Sequence, residues 1–319
     1  MSIDTESKLF FRGFYIEIFL RLVAYLYKGS RNISWLLMSV AGRFSIIRVL
    51  AKKLAKQINL QQYKSCPESS IFQNVNVAEV VKELKQTGLS IGIRLPDGVL
   101  EEILEFAQST PCYGDFEPHN GFLYSEKDEI SQIRTFFTAQ YFNTSLHPAI
   151  QTLARDPTLL EIAATYLNAE PIFTGSRLWW NFIVDDEKNY DSSKTITFFH
   201  YDLDDYACLR FFFYLTDVDI NSGPHVCVLG SHSNKNLSHV ILPVKRRSDE
   251  NITAYYGADS IVAIYGSKGF GFAEDTFCYH KATRPLKQDR LMLQIQFAIN
   301  NYGLHHDLKD VSLLTKIKD

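Results

Sequence analysis

The sequence predicts a mainly β fold with flanking helices: a double-stranded β-helix (jelly roll) core preceded by an extra helical N-terminal segment. From Ile172 onward the pattern is almost entirely short strands, centred near residues 198, 212, 227, 241, 262, 278 and 295. Many short strands in succession, without intervening helices, are typical of sandwiches and jelly rolls. Before Ile172 the pattern is different, because amphipathic helices alternate with a single clear strand.

The length and composition fit one large domain with an extension. The chain has 319 residues, 46% of them hydrophobic. We predict a basic, amphipathic helical extension over 1–70, a jelly-roll domain over 76–305 and a C-terminal tail over 306–319. The net charge of -3 gives no general electrostatic argument for binding nucleic acid. The five cysteines are scattered and lack CxxC spacing, so we expect reduced thiols and a cytoplasmic protein.

The N-terminal extension contains two helical patterns, over 9–27 and 34–58. Three charged residues interrupt the first pattern, which disfavours a membrane span and fits a signal peptide poorly. Basic residues gather toward the end of the second. Two interpretations stay open: the helices pack on the catalytic domain or on a second subunit, or residues 9–58 contact a membrane surface peripherally.

The elements between the extension and the strands follow from local signals. We expect a linker over 61–74, a helix over 77–87 capped by Gly88, a strand over 89–95, a helix from 97 to about 109, and a helix over 157–168 capped by Asp156. Residues 111–147 are aromatic and show few clear elements, so we expect a loop-rich lid there.

One short motif suggests a metal site. His200 and Asp202 are two positions apart, and on an extended segment such side chains project to the same side. With a second histidine from a distant strand, His280, they would form the 2-His-1-carboxylate face of non-haem Fe(II) oxygenases. His-x-Asp alone is a weak signal in a chain with nine histidines. Arg290, ten residues after His280 in another apolar strand, is suited to a bidentate carboxylate.

The order and spacing of these motifs resemble the phytanoyl-CoA dioxygenase family of Fe(II)/2-oxoglutarate-dependent oxygenases. The resemblance covers roughly residues 76–303 and is carried by His200-Tyr-Asp202, Tyr214-Leu-Thr-Asp217, Gly223-Pro-His with Leu229-Gly-Ser-His232, Asp275-Thr276, His280-Lys281 and Arg290-Leu291. One position departs from the pattern. Relatives often carry a hydroxyl residue two positions after the distal histidine, where this chain has Ala282.

This resemblance implies a ligand set and a reaction. His200, Asp202 and His280 would bind Fe(II), with dioxygen as oxidant and 2-oxoglutarate as co-substrate. Arg290 would pair with the 5-carboxylate of 2-oxoglutarate, and Asn181 is a candidate for a further polar contact to it. The implied reaction is hydroxylation of a small-molecule or lipid-like substrate, with release of succinate and carbon dioxide.

Other residues near these motifs are expected to have other roles. They are Asp204 and Asp205 as loop groups, His225 and His232 as structural residues, Arg284 as a surface or substrate-binding group, and Arg210, Phe212 and Tyr214 as lining of the barrel. Substrate specificity is expected in the loops over 111–147, 185–195 and 245–258.

Two other functions remain open on the sequence. One is a non-catalytic jelly-roll binding module, against which the complete set of candidate ligands argues. The other is a cupin-like metalloenzyme that does not use 2-oxoglutarate. The orientation of Arg290 discriminates here, since a dicarboxylate co-substrate needs a cation inside the barrel.

Overall fold

The computed structural model describes residues 29–55, 60–64, 69–184, 197–236, 239–240, 246–303 and 307–318. Its strands are β1 (Leu89–Arg94), β2 (Cys112–Gly114), β3 (Gly121–Phe122), β4 (Thr138–Tyr141), β5 (Ile172–Asn181), β6 (Cys208–Tyr214), β7 (His225–Val228), β8 (Ile261–Ile264), β9 (Phe270–Glu274), β10 (His280–Ala282) and β11 (Arg290–Ala298). Its helices of five or more residues are α1 (Ile33–Ala41), α2 (Ser45–Leu54), α3 (Val77–Thr87), α4 (Asp97–Ser109), α5 (Lys127–Ser131), α6 (Pro148–Ala154), α7 (Pro157–Leu167) and α8 (Asp249–Tyr256).

Two antiparallel sheets form the core of the described part. The large sheet has the strand order β1-β9-β6-β11-β5-β4-β2-β3, and the small sheet has the order β10-β7-β8. Inner-face aromatic side chains of the large sheet, including Phe212, Tyr214 and Phe272, pack against Cys227 and Ile264 of the small sheet. The opposite face of the large sheet is covered by the helices. The predicted jelly-roll core is confirmed.

The central strand β11 shows how the sequence separates these two faces. Its alternate side chains Leu291, Leu293, Ile295 and Phe297 belong to the cluster beneath the helices. The side chains between them include Arg290 and Gln294, which line a cavity between the sheets. Because strand side chains alternate, one strand supplies apolar packing to one layer and polar chemistry to the other.

Several elements agree with the sequence analysis. The helix over 77–87 ends at Gly88, whose φ of 80° is the left-handed conformation of a helix C-cap. Asp156 caps the helix that starts at Pro157 by accepting hydrogen bonds from the backbone N–H groups of Thr158 and Leu159. The strand over 89–94 and the helix over 97–109 also form.

Two segments predicted as loops are more ordered than expected. Ser70, within the predicted linker, donates to Asp156, and Phe72 joins the main hydrophobic cluster. The predicted lid over 111–147 contributes β2, β3 and β4 to the large sheet. These strands were not predicted because they are only two to four residues long, too short to show an alternating pattern.

The strands near 198 and 278 also differ from expectation. The first is reduced to isolated bridges at Phe199 and His200, and the second begins only at His280. A strand without its own predicted centre, β9, lies beside β1 and β6, and Gly271 allows close approach there because a Cβ would meet Phe213 and the carbonyl oxygens of Ile93 and Phe212. The predicted strand near 241 falls at residues 241–245, outside the described residues.

The N-terminal extension is described from residue 29 onward, so the helical pattern over 9–27 lies outside the described residues. The single helix predicted over 34–58 is two helices, α1 and α2, separated near Gly42. Phe44 enters α2 in an extended conformation, with φ -91° and ψ 124°. Among the described residues, no helix combines the length and apolar character that crossing a membrane requires.

Residues 307–318 pack on β3, where the N–H of Gly121 donates to the carbonyl of Thr315.

Candidate metal centre

Backbone hydrogen bonds bring the two remote parts of the predicted metal motif together. The N–H of His200 donates to the carbonyl of His280 at 3.0 Å, and the N–H of His280 donates back at 2.8 Å. Two residues further, the N–H of Asp202 donates to the carbonyl of Thr276. The segment around His200 therefore needs no full strand to hold its side chains against β10.

The side chains of His200, Asp202 and His280 converge at one point. The Nε2 atoms of His200 and His280 lie 4.0 Å and 3.6 Å from the two carboxylate oxygens of Asp202. One ligand atom from each residue lies within 4.8 Å of the others, the only such group with three or more potential ligands among the described residues. Two imidazoles and one carboxylate are the donor set of mononuclear non-haem iron sites.

Both imidazoles are oriented for metal binding by the hydrogen bond on the opposite ring nitrogen. Nδ1 of His200 lies 3.0 Å from the carbonyl oxygen of Phe198, and Nδ1 of His280 lies 3.0 Å from that of Cys278. Each Nδ1–H therefore donates to the backbone, and each Nε2 lone pair remains directed toward Asp202. Burial lowers the pKa of both histidines, that of His280 to about 4, so both rings are neutral near pH 7.

Asp202 is held ionised by a buried arginine. The Arg210 guanidinium donates to Asp202 and to Asp204, and its Nε donates to Gln296 at 2.7 Å. Burial acts to raise the pKa of the Asp202 carboxyl, but Arg210 and then His280 outweigh it and hold that pKa well below its usual range. Asp204 is thus a partner of Arg210 rather than a second carboxylate of the metal group.

The neighbouring Asp205 has a structural role. Its carboxylate is buried and accepts hydrogen bonds from the backbone N–H groups of Ile299 and Asn300, where β11 ends. It also accepts from the hydroxyl of Tyr302. Asp205 therefore fixes the chain that follows the central strand, in agreement with the expectation that it is not a ligand.

A buried carboxylate that the sequence analysis did not consider lies behind the histidines. Glu274 Oε2 is 2.7 Å from Nε2 of His225, and Oε1 is 3.6 Å from Nδ1 of His280. The His225 ring stacks on the His280 ring with centroids 5.4 Å apart. Burial raises the pKa of Glu274 to about 7. The signal was present in the alternation Phe270, Phe272, Glu274, which places all three side chains on one strand face.

The three candidate metal ligands, His200, Asp202 and His280, line a cavity of about 110 Å³ between the sheets. Arg290 lines this cavity and is 1% exposed. Arg210, on the neighbouring strand β6, pairs with Gln296, six residues after Arg290 on β11. The two guanidinium groups therefore meet β11 toward its opposite ends. The cavity lining consists of Phe116, Thr138, Gln140, Arg177, Trp179, Asn181, His200, Asp202, Arg210, Phe212, His225, His280, Ala282, Arg290 and Gln294.

Arg290 is positioned to hold a carboxylate. Its guanidinium donates to Oδ1 of Asn181 at 2.6 Å and to the carbonyl of Gly223. Its Nε is buried and lacks a hydrogen-bond partner among the described residues. Two contacts thus fix the plane of the guanidinium, while a donor remains for a ligand. Asn181 orients Arg290 in this structure, and the same amide also accepts from Nε1 of Trp179.

The remaining residues singled out in the sequence differ in whether they line the cavity. Arg284 donates to the carbonyl of Val184 and does not line the cavity. His232 contacts the thiol of Cys278 at 3.6 Å, also away from the cavity. Ala282, the position that departs from the family pattern, does line it. The predicted specificity loop over 245–258 contains α8, and the loop over 185–195 lies outside the described residues.

No protein-family model and no curated protein matches the sequence. Similar solved structures include HygX from Streptomyces hygroscopicus with nickel and 2-oxoglutarate bound, at 16% identity and TM-score 0.49, over 76% of this chain and 95% of that one. They also include the non-heme alpha-ketoglutarate-dependent epimerase SnoN, at 14% and 0.47 over 69% and 82%. The carbocyclase SnoK matches at 17% and 0.46 over 70% and 84%. Similarity this distant leaves function to be argued from the side chains of this chain.

Proposed function

We propose that the protein is a non-haem Fe(II) oxygenase with 2-oxoglutarate as co-substrate, acting on a small-molecule or lipid-like substrate. The observation that carries this proposal is the convergence of His200, Asp202 and His280 at a cavity that also contains the buried Arg290. A neutral two-histidine, one-carboxylate set selects a divalent transition metal and leaves positions for exogenous ligands. A buried guanidinium in the same cavity selects an anionic co-substrate.

Each residue has a defined part in this proposal. The Nε2 atoms of His200 and His280 and one oxygen of Asp202 would bind the metal, while Arg210 holds the other carboxylate oxygen. Arg290 would hold the 5-carboxylate of 2-oxoglutarate. When bound, Fe(II) supplies the redox chemistry that couples dioxygen to decarboxylation of 2-oxoglutarate, releasing succinate and carbon dioxide.

The aromatic lining would exclude water from the reacting groups. Phe212 and Trp179 come from the large sheet, and Phe116, from the predicted lid segment, lines the same cavity with a φ of 64°. Hydroxylation is the outcome we propose, because Asp202 fills the position that a halide needs in related halogenases. The motif order, which resembles the phytanoyl-CoA dioxygenase family, supports the same proposal.

The direct test is turnover of 2-oxoglutarate without added primary substrate. We expect wild-type protein with Fe(II) to release succinate slowly, and His200→Ala to reduce this release by at least a hundredfold. Arg284→Gln provides a matched control, because this arginine lies outside the cavity. Undiminished succinate release from His200→Ala would refute the ligand assignment. Release that needs no Fe(II) would refute the metal dependence.

A further inference from the structure

A third arginine of the cavity has no hydrogen-bonding or ion-pair partner within the part of the chain that the structure describes. Arg177 lies on β5, on the same face as Asn181 and about 13 Å from it along the strand, at roughly 3.3 Å per residue. Its guanidinium makes no hydrogen bond or ion pair with any other described residue, although it lines the cavity. By contrast, Arg210 binds two carboxylates, and Arg290 binds Asn181 and a backbone carbonyl.

The charges around the cavity are unbalanced. Its lining includes three arginines and a single carboxylate, Asp202, which Arg210 already engages. In the proposed function a metal ion adds positive charge, and Arg290 is taken by 2-oxoglutarate. Burial and the repulsion of Arg210 lower the pKa of Arg177, and the attraction of Asp204, Asp202 and Asp307 does not outweigh them. Because a charge that is removed from water without a partner carries a penalty of several kcal/mol, an anion is expected to complete this site.

Two amides stand beside Arg177. Gln294 is its partner on β11, and Gln140 on β4 lies opposite Trp179. Both side chains line the cavity, and neither hydrogen-bonds to another described residue. An arginine fork flanked by amide donors matches the geometry of a carboxylate or phosphate.

We propose that Arg177, with Gln294 and Gln140, binds an anionic group of the primary substrate, a carboxylate or a phosphate. This inference rests on the proposed function, and it narrows the substrate class to organic acids or phosphate esters. Arg177 is thus a specificity-determining residue, separate from the co-substrate arginine.

Equilibrium binding tests this site without turnover. Protein loaded with Mn(II) and saturated with 2-oxoglutarate is titrated calorimetrically with hexanoate, hexyl phosphate and hexanol as the uncharged match. We expect one of the two anions to bind at least tenfold more tightly than hexanol, and the stronger anion identifies the group. Arg177→Gln should abolish this preference, Arg177→Lys should retain part of it, and Arg155→Gln, at an exposed arginine, should retain it in full.

Two results would overturn the inference. One is a wild-type protein with no preference for either anion, and the other is a preference that survives Arg177→Gln. Titration of 2-oxoglutarate into the same variants separates this inference from the proposed function. If Arg177→Gln weakens the binding of 2-oxoglutarate as strongly as Arg290→Gln does, Arg177 belongs to the co-substrate site and the inference fails. If 2-oxoglutarate does not bind wild-type protein at all, the proposed function fails instead.

A different observation concerns the surface of the N-terminal helices. Helix α2 faces the domain with its cations: the Arg48 guanidinium lies 3.7 Å from Asp275 and 3.9 Å from the ring centroid of Phe277. Lys52 lies 4.7 Å from the ring centroid of Tyr166. A helix of a water-soluble domain normally directs its apolar side inward, so α2 is reversed.

The apolar residues of this region face outward. Across α1, α2 and their connection, eight large apolar side chains are between 38% and 85% exposed: Ile33, Leu37, Val40, Phe44, Ile46, Val49, Leu50 and Leu54. Of the five arginines and lysines in residues 29–55, Arg31 and Lys53 are exposed, and no residue of this segment is acidic. A broad apolar face with basic residues and no acids matches an anionic lipid surface.

We infer that α1 and α2 dock on an anionic lipid surface. Sedimentation of the full-length protein with vesicles tests this inference, using equal parts phosphatidylcholine and phosphatidylglycerol against phosphatidylcholine alone. We expect at least fivefold more protein to sediment with the anionic vesicles. Leu50→Asp with Leu54→Asp should abolish this sedimentation, whereas Ile133→Asp with Leu146→Asp, which are exposed elsewhere, should not. Protein that stays in the supernatant, as it would if residues 1–28 or a second copy cover the face, would overturn the inference.

Discussion

Replacing Arg290 by glutamine gives the sharpest test of the co-substrate site. The side chain is 1% exposed, so its attraction for a carboxylate is weakly screened. Removing one partner of a buried, hydrogen-bonded charge pair typically costs about 2–5 kcal/mol, or about 30- to 4,000-fold in affinity. Glutamine keeps one amide donor, so we expect the lower part of this range: 2-oxoglutarate binding about 30- to 100-fold weaker.

Metal binding should change much less. Arg290 hydrogen-bonds to Asn181 and Gly223 and to none of His200, Asp202 and His280, so we expect Mn(II) affinity within about threefold of wild type. The variant leaves the carbonyl of Gly223 and the Asn181 oxygen without this donor, which should lower the free energy of unfolding by about 1–3 kcal/mol. Binding is therefore measured well below the melting temperature.

Isothermal titration of 2-oxoglutarate into Mn(II)-loaded protein measures the 2-oxoglutarate affinity. Electron paramagnetic resonance of free Mn(II) measures the Mn(II) affinity. Arg284→Gln is the control, since Arg284 donates to Val184 outside the cavity. A 2-oxoglutarate affinity within threefold of wild type in Arg290→Gln would refute the reasoning. A large loss in Arg284→Gln would move the anchor to that residue.

Three further predictions follow from the same geometry. Mn(II) at a hundred times its dissociation constant should raise the free energy of unfolding by about 2.7 kcal/mol in wild-type protein and by far less in His200→Ala, as urea titration will show. Gly223→Ala should weaken 2-oxoglutarate binding at least fivefold in calorimetry, because φ is 69° and a Cβ would meet the carbonyl of Thr283 at 2.7 Å; Gly230→Ala, at φ 75° in open space, should not. Asp275→Asn should lower stability by about 2–4 kcal/mol above pH 5, since the buried carboxylate accepts from Tyr166 at 2.6 Å.

The pH dependence of the Asp275 contribution has a defined sign. Burial acts to raise the pKa of this carboxyl, but Arg48 and then His232 outweigh it, so the pKa is lowered in the folded protein. A lowered carboxyl pKa adds stability above the ordinary aspartate pKa and loses it as the pH falls through the folded value. The difference in unfolding free energy between wild type and Asp275→Asn should therefore shrink below about pH 4. A difference that stays constant down to pH 2 would contradict this linkage.

The sequence predicted the structure correctly where local signals are strong. Gly88 and Asp156 marked helix ends through backbone chemistry that depends on one or two residues. Arg290 was recognised from its position in an apolar strand ten residues after His280, and it lines the cavity. The convergence of His200 and Asp202 with His280 followed only from the order of motifs in a known family.

The sequence did not predict the features whose position depends on pairing between strands that are distant along the chain. Strand β4 is four residues long and owes its position to β5, with which it pairs from Thr138 to Tyr141. Asn181 and Thr138 become neighbours through that register, which no local pattern reveals. The burial of Glu274 beside His225 depends likewise on β9 pairing with both β1 and β6. Reversal of α2 arises because Asp275, over two hundred residues away, attracts Arg48.

The metal and 2-oxoglutarate together provide the most direct measurement. Fe(II) and then 2-oxoglutarate are added anaerobically to the full-length protein, and the visible absorption is recorded. We predict a weak charge-transfer band that requires both additions, because 2-oxoglutarate held by Arg290 would reach the metal bound by His200, Asp202 and His280. The band should be absent in Asp202→Ala. Wild-type protein that binds Fe(II) and 2-oxoglutarate without developing the band, or an Asp202→Ala variant that develops it undiminished, would show that the two do not meet at these residues.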